Sequence, residues 1–425
     1  MNLDLSKINT SEILSARKIF FIGIGGIGIS ALAKMAISKG IEVSGVNDEE
    51  SSKTLEPLRE LGVEIIMSRG ILDSLPEADL YVYSDAWLHR GPEVLQKAKD
   101  TGKLVLNYFQ ALGEFAKEYQ VIAIAGTHGK TTTTAMVADI LTEANLDPTV
   151  IVGSFIKKFD SNFRKGNGQY LVVEADEYNR HFLTLRPFLV VTTNIEADHL
   201  DYYKDFDDVK KAFDQLLSQS ENKILDYSKY LEKVPKLSVP GEHNRLDAAA
   251  AFAVADFLGI PEETIKKSLA EFSGTWRRLE KRAETEKGTI IYDDYAHHPT
   301  EIMASLQALR ELYPQGKKKI TVLFQPHLYS RTKAFFNDFA KSFKGADRIL
   351  LLPIYFARED KDESISSEKL AEAIVREGGN SQAFSDFEQA EKAVKALNFG
   401  PKDIFVTMGA GEAYKVADKV FNLTQ

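Results

Sequence analysis

Residues 121–141 read VIAIAGTHGKTTTTAMVADIL. A short, continuous apolar run stops at a glycine-rich turn, and the turn opens into a helical pattern that starts with Lys130 and Thr131. Apolar runs of this length ending in glycine have the pattern of buried parallel strands. Such a strand–loop–helix unit offers its turn to phosphate: the backbone N–H groups of Thr127, His128 and Gly129 would cradle a polyphosphate together with the positive end of the helix. Gly126 and Gly129 permit the tight turn, Lys130 supplies a cation, and Thr131 and Thr132 follow at the helix start. The spacing departs from GxxxxGK[ST], because Ile124 stands five residues before Gly129. GK[ST] by itself also fits an ordinary helix start in which Thr131 to Thr134 are capping residues. The strand before it and the helix after it favour a nucleotide.

On either side of this unit, strand and helix patterns alternate. KIFFIGIGG, a helical IGISALAKMAISKG and IEVSGV are followed by apolar runs at LYVYS and LVLNY, which makes a parallel α/β unit of residues 1–117. VIAIAG, YLVVEAD and LVVTTNI with the helical DAAAAFAVADFLG make a second, residues 118–276. TIIYDDYA, ITVLFQP, RILLLPIY and DIFVTMG make a third, residues 277–425. Three α/β domains are expected, in keeping with a length of 425 residues, which exceeds what one core supports.

Composition narrows the classes. Hydrophobic residues at 44% and charged residues at 27% are ordinary for a globular protein. Cysteine is absent, which rules out disulfides, a thiol nucleophile and thiolate metal sites. Any metal must therefore be held by oxygen or imidazole. The net charge of -9 carries interspersed signs, and the KKK at 317–319 is too short for a phosphate-tracking stripe, so nucleic acid is not an expected partner. The N-terminal MNLDLSKINTSEILSARK has no signal-peptide core and no run approaches the ~20 apolar residues of a membrane span, so a cytoplasmic protein without a membrane partner is expected.

ATP carries more negative charge than one lysine can neutralise, so a divalent cation is expected beside the γ-phosphate. Thr131 can give its hydroxyl. Glu174 in YLVVEADE and His199 in TTNIEADHLD each lie just beyond an apolar strand, where a parallel sheet places ligand-facing residues. For His199 alone a satisfied surface histidine is the plainer reading. Two EAD triplets, each after a strand downstream of a phosphate loop, favour the metal.

GIGGIG at 23–28 satisfies GxGxxG between a strand and a helix, with Asp48 at about the distance of a ribose-binding acid. Alone it fits a nicotinamide-dependent dehydrogenase; the same glycines equally bring backbone N–H groups onto another diphosphate. The downstream phosphate loop and metal residues separate the two, because a dehydrogenase needs neither. A nucleotide-gated binding protein without turnover is a third reading, against which the complete Lys130, Glu174 and His199 set argues.

GTHGKTTTT, EADE, TNIEADHLDYY, PGEHN, WRRLE, DDYAHHPTEI and FQPHLYSRT stand in the order seen in Mur ligases. Across all three segments the chain resembles that family, and GTHGKTTTT with DDYAHHPTEI looks like its alanine-adding branch. The resemblance implies a Rossmann-like N-terminal domain for a uridine nucleotide, a central P-loop ATPase domain with a mostly parallel sheet, and a Rossmann-like C-terminal domain for the amino acid. It implies ATP and Mg2+ as cofactors, UDP-N-acetylmuramate and L-alanine as substrates, and a monomer or homodimer. The implied reaction phosphorylates the lactyl carboxylate from ATP and lets the amine of alanine attack the acyl phosphate, giving the amide, ADP and phosphate. By resemblance Lys130 holds the β/γ-phosphates, Thr131 and Glu174 hold one Mg2+, and Glu174 with His199 a second. Asn244 would contact adenine, Arg278 and Asp294 would reach ATP, and His298, Tyr295, His327 and Arg331 would line the amino-acid side. Gly25, Gly26, Ile27 and Gly28 would meet the uridine diphosphate. His298, directly before Pro299, is the candidate proton acceptor for the incoming amine, with a helix start as the alternative.

Several positions depart from the family pattern. SGVND leaves Asn47 where an acid usually stands, and SDA puts Asp85 after Ser84 in place of a second serine. The stretch from Glu221 to Val239 is short, so a compact edge to the central sheet is expected. Asp247 replaces a second asparagine near adenine, where an ionised carboxylate can only accept hydrogen bonds. Leu328 stands where arginine is frequent, which throws the substrate carboxylate onto Arg331, assisted by His327.

Overall fold

The computed structural model describes residues 13, 15–68, 74–200, 202–356 and 359–423. Three separate sheets fall in the three segments. Strands β1 (Lys18–Ile22), β2 (Glu42–Asn47), β3 (Glu64–Met67), β4 (Leu80–Tyr83) and β5 (Leu104–Asn107) form an all-parallel sheet in the order β3-β2-β1-β4-β5. The strand order reverses between β1 and β4, and the glycine turn after β1 and Ser84 after β4 lie there, where open α/β sheets bind ligands.

The middle sheet contains β6 (Gln120–Ala125), β7 (Thr149–Ile156), β8 (Ser161–Arg164), β9 (Tyr170–Ala175), β10 (Leu189–Thr192) and β11 (Asn222–Ile224). Its order is β11-β10-β6-β9-β7-β8, parallel except for β8. The compact edge expected from the short Glu221–Val239 stretch is the three-residue β11, followed by a 3-10 turn whose Tyr230 is buried against Phe252 at a ring distance of 5.3 Å.

The last sheet comprises β12 (Glu280–Glu284), β13 (Ile290–Asp294), β14 (Lys319–Phe324), β15 (Arg348–Leu351), β16 (Ser381–Ala383) and β17 (Asp403–Met408), in the order β12-β13-β17-β14-β15-β16. Only β12 runs antiparallel. Its interior strands are apolar on both faces, as sheets covered on both sides require: β17 is buried from Ile404 to Met408.

Five helices follow the motif segments. Helix α1 (Ile27–Ser38) leaves the glycine turn, with Ile29 to Ala36 buried without interruption. Helix α2 (Lys130–Glu143) leaves the phosphate loop and is buried from Thr131 to Leu141. Helices α3 (Glu242–Phe257), α4 (Pro299–Leu312) and α5 (Tyr329–Ala334) follow PGEHN, DDYAHH and FQPHL. Contacts group the chain into two compact units. One holds residues 1–195, 207–235 and 247–271; the other holds 196–206, 236–246 and 272–425. No described helix is long and apolar enough to cross a membrane.

Candidate active site

In the first unit, β6 delivers the chain into the phosphate loop with Gly126 at φ 137° and Gly129 at φ 81°. Neither position accepts a side chain. A Cβ on Gly126 would lie 2.0 Å from Thr193 Oγ1, and one on Gly129 would lie 2.2 Å from Asp247 Oδ1. Asp247 therefore lies directly over the loop's second glycine. Thr193 and Asn194, just past β10, hold the loop from the neighbouring strand. Thr127 N–H donates to Asn194 O at 3.0 Å, and His128 N–H to Asn194 Oδ1 at 2.9 Å. The Thr193 hydroxyl and the Asn194 amide both donate to His128 O, at 2.6 and 3.1 Å. Two of the N–H groups expected to face phosphate are thus engaged by Asn194 in this structure, and the first turn of α2 carries the remaining donors of the cradle.

Lys130 donates from Nζ to Gly126 O, Thr127 O and Glu177 Oε2, at 2.5, 3.0 and 2.8 Å. Burial works against its charge, but Glu177, Asp176 and Glu174 outweigh it and raise its pKa, so the ammonium stays protonated. Glu174, next to last in β9, is in register with Ile124 of β6. Its Oε1 accepts from Gly153 N–H at 2.6 Å and its Oε2 from the Thr131 hydroxyl at 3.1 Å. Two hard oxygens side by side, with Asp176 and Glu177 close by, make a donor set that fits an Mg2+ ion. Thr132 is buried next to Thr131 on the same helix turn.

At the glycine turn of the same unit, Gly25 N–H donates to Asn47 Oδ1 at 3.1 Å, and Asn47 Nδ2 donates onward to Glu49 O. Asn47 thus braces the turn, while Asp48 reaches outward to Arg90 at 3.2 Å. Gly26 is the N-cap of α1 without a side-chain cap, so Ile27 and Gly28 open a helix whose positive end faces the switch point. Ser84 N–H donates to Ile22 O. Its neighbour Asp85 pairs with His181 Nε2 at 2.8 Å, and the His181 ring stacks on Phe109 at 3.7 Å.

In the second unit, His199 occupies a turn with φ 55°, its N–H donating to Asp198 Oδ1 at 2.7 Å. Asp198 also accepts from Arg331, Nε to Oδ1 at 3.1 Å and Nη2 to Oδ2 at 3.3 Å. Burial pushes against the Asp198 charge, but Arg331 and then His199, His297 and His298 hold its pKa far below the usual carboxylate range. Arg331 Nη1 lies 3.2 Å from His327 Nδ1, and His327 stacks on Tyr355 at 5.5 Å. The Tyr295 carbonyl lies 3.0 Å from His297 Nδ1, and the His297 ring meets His327 edge-on at 6.0 Å. Tyr295, His327 and Arg331 therefore come together, with His297 and Asp198 among them.

His298 is the N-cap of α4: its Nδ1 accepts from Thr300 N–H at 3.3 Å, while Glu301 accepts from its backbone N–H. Asp294 ends β13, buried, accepting from Ala296 N–H at 3.1 Å and from the Ser305 hydroxyl. Burial pushes its carboxyl up to about 6 against Ser305 and Arg278. The Arg278 guanidinium lies 5.2 Å from the Tyr295 ring centre. Arg277, its neighbour, turns inward at φ 56° and binds Asp293 at 2.8 Å and the carbonyls of Gly409 and Gly411. Asn244, buried, donates to Pro240 O at 2.6 Å.

Family models match in the same three places: the Mur ligase family catalytic domain over residues 18–120, the Mur ligase middle domain over 124–234, and the Mur ligase glutamate ligase domain over 277–411. The chain belongs to the Mur ligase family. A UDP-N-acetylmuramate–L-alanine ligase of Caldanaerobacter subterraneus subsp. tengcongensis is 36% identical, over 99% of this chain and 98% of the relative. The ligase of that name from Clostridium kluyveri is 35% identical over 97% and 99%. Among solved structures, the UDP-N-acetylmuramate–alanine ligase of Thermotoga maritima superposes with a TM-score of 0.81 at 27% identity, over 95% of this chain and 98% of the other.

Within this Mur ligase the motifs themselves give no sign of the roles of Asn194, Glu177, Asp198 and the Asp85–His181 pair. Asn194 and Asp198 stand inside the quoted TNIEADHLDYY, and Glu177 inside EADE. What is missing is the three-dimensional partner, which lies tens of residues away or more in every case.

Proposed function

We propose that this enzyme joins L-alanine to the lactyl carboxylate of UDP-N-acetylmuramate, at the expense of ATP, through an acyl phosphate. The observation that carries the reading is the Thr131–Glu174 contact at the mouth of the GTHGK loop, in a chain that aligns end to end with ligases of that name. A carboxylate resists attack by an amine; phosphorylation supplies the leaving group, so the γ-phosphoryl of ATP goes to the carboxylate oxygen and later departs as phosphate. Most of the work is then positioning and charge neutralisation.

In this reading residues 1–117 take the uridine nucleotide, 118–276 ATP and 277–425 the amino acid. Lys130, released from Glu177, pairs with the β/γ-phosphates beside Gly126, Gly129, Thr131 and Thr132. Thr131 and Glu174 would hold Mg2+, to which the family resemblance adds His199, and the ion would neutralise charge on the transferring phosphoryl group. Asn244, Asp247, Arg278 and Asp294 serve the nucleotide; Gly25 to Gly28, Asn47 and Ser84 serve the uridine diphosphate; Tyr295, His327 and Arg331 serve alanine.

Purified protein with ATP, Mg2+ and UDP-N-acetylmuramate should release phosphate only when an amino acid is added, with alanine best among the standard set. Turnover with a murein tripeptide alone would move the assignment to the peptide-joining branch. Tight binding of NAD without turnover would sink it.

A further inference from the structure

We infer that Asp198 is a positioning residue for the amino-acid carboxylate, acting through Arg331; the inference rests on the proposed role of Arg331. A guanidinium has five N–H donors arranged so that two of its edges each fit a carboxylate. Asp198 takes the side-on edge, Nε and Nη2, at 3.1 and 3.3 Å. Nη1 lies 3.2 Å from His327 Nδ1, and a substrate carboxylate would dock on the end-on edge, Nη1 and Nη2.

The backbone beneath Arg331 is fixed just as firmly. Leu328, at the N-cap of α5, is buried at φ 71°, a left-handed conformation that a leucine adopts only under constraint. Its N–H donates to Tyr355 O at 2.8 Å, and its carbonyl accepts from Thr332 N–H at 3.1 Å and the Thr332 hydroxyl at 2.7 Å. A small cavity of about 60 Å³ adjoins the pair, lined by Asp198, His199, Ser330 and Arg331 with the apolar Ala334 and Phe335. Arginine is rich in rotamers, and ordering it anew at each binding event would cost affinity. Asp198 settles that cost during folding.

Asp198 also carries a negative charge, which by itself repels a second carboxylate. Orientation and charge thus predict opposite signs when the charge is removed, and the inference is that orientation wins. Steady-state kinetics with L-alanine varied at saturating ATP and UDP-N-acetylmuramate test it on the full chain. Asp198→Asn and Arg331→Ala should each raise the KM for alanine by about tenfold or more, leaving the KM for ATP and the Mg2+ requirement where they are. In an Arg331→Ala background Asp198→Asn should raise that KM no further, because its orienting effect acts only through Arg331. Arg331→Lys, which keeps a cation against Asp198 but loses the fork, should raise the same KM and covers the case in which Arg331→Ala does not fold. An alanine KM that is unchanged or lowered in Asp198→Asn, with or without a lower Tm, would make the pair a purely structural one and overturn the inference. If Arg331→Ala and Arg331→Lys both left that KM unmoved while the wild type turned over normally, the carboxylate role of Arg331 would fall and the inference with it.

Discussion

The ammonium of Lys130 lies 2.8 Å from the Glu177 carboxylate, and both side chains are largely withdrawn from water, at 16% and 3% exposure. A phosphate arriving at the loop must therefore exchange one anion for another around a single cation. Removing one partner of a buried pair leaves the other uncompensated. Lys130→Ala should abolish amino-acid-dependent phosphate release and also destabilise the fold by up to roughly 3–5 kcal/mol. Ligand binding shows which effect is which: ATP with Mg2+ should raise the Tm of the wild type and leave that of Lys130→Ala where it was. An equal rise in both would remove Lys130 from the phosphate site.

Glu174 joins Gly153 N–H on one oxygen and the Thr131 hydroxyl on the other. Glu174→Gln keeps the volume and one acceptor but loses the charge a divalent cation requires. Turnover should fall by about two orders of magnitude or more, with the unliganded Tm little altered and the Mg2+ concentration for half-maximal rate raised. A variant with most of its activity and an ordinary Mg2+ curve would rule out Glu174 as a ligand.

His298 spends Nδ1 on Thr300 N–H, which assigns the proton of the neutral ring to Nε2. A ring in that tautomer has no lone pair at Nε2 to take a proton from the incoming amine. Asparagine caps helices as well as any residue, so His298→Asn should cost less than about 1 kcal/mol and leave the pH dependence of kcat unchanged. Loss of one limb of the pH profile in that variant would restore His298 as proton acceptor.

The parts of this site written in contiguous sequence were legible in it. VIAIAGTHGKTTTT gives β6, the loop and α2 because a strand, a turn and a helix start are all local events, and the glycines at 126 and 129 fall where positive φ is needed. KIFFIGIGG and DIFVTMG announced interior strands for the same reason. The short or polar strands SNFR, NKI, EKRAE and SQA carry no such signal, since a strand at or near a sheet edge takes its identity from its partner. Nor does sequence reveal which way a charge turns. Arg277 and Arg278 are adjacent and both lie within 5.3 Å of the Tyr295 ring centre, yet it is Arg277 that is locked onto Asp293. Arg331 finds Asp198 across 133 positions, and no periodicity encodes that distance.

Asp139 supplies a test of stability rather than of chemistry. It lies on α2, 7% exposed, and no hydrogen bond or ion pair to its side chain is found among the described residues. Burial pushes its carboxyl up to about 6, with Lys158 opposing. Because the folded pKa lies above the unfolded one, the folded state holds a proton that the unfolded chain has already released. Stability is therefore undiminished below the unfolded value, falls as pH rises toward about 6, and stays reduced above it. The loss approaches about 1.4 kcal/mol for each unit of separation, enough to move a melting temperature by several degrees. Asp139→Asn removes the ionisation while keeping the size, so its Tm should exceed that of the wild type near about pH 8 and converge with it near about pH 4. A variant that melts lower than the wild type at the higher pH would mean that the Asp139 charge is satisfied where it sits, and that its burial costs the fold nothing.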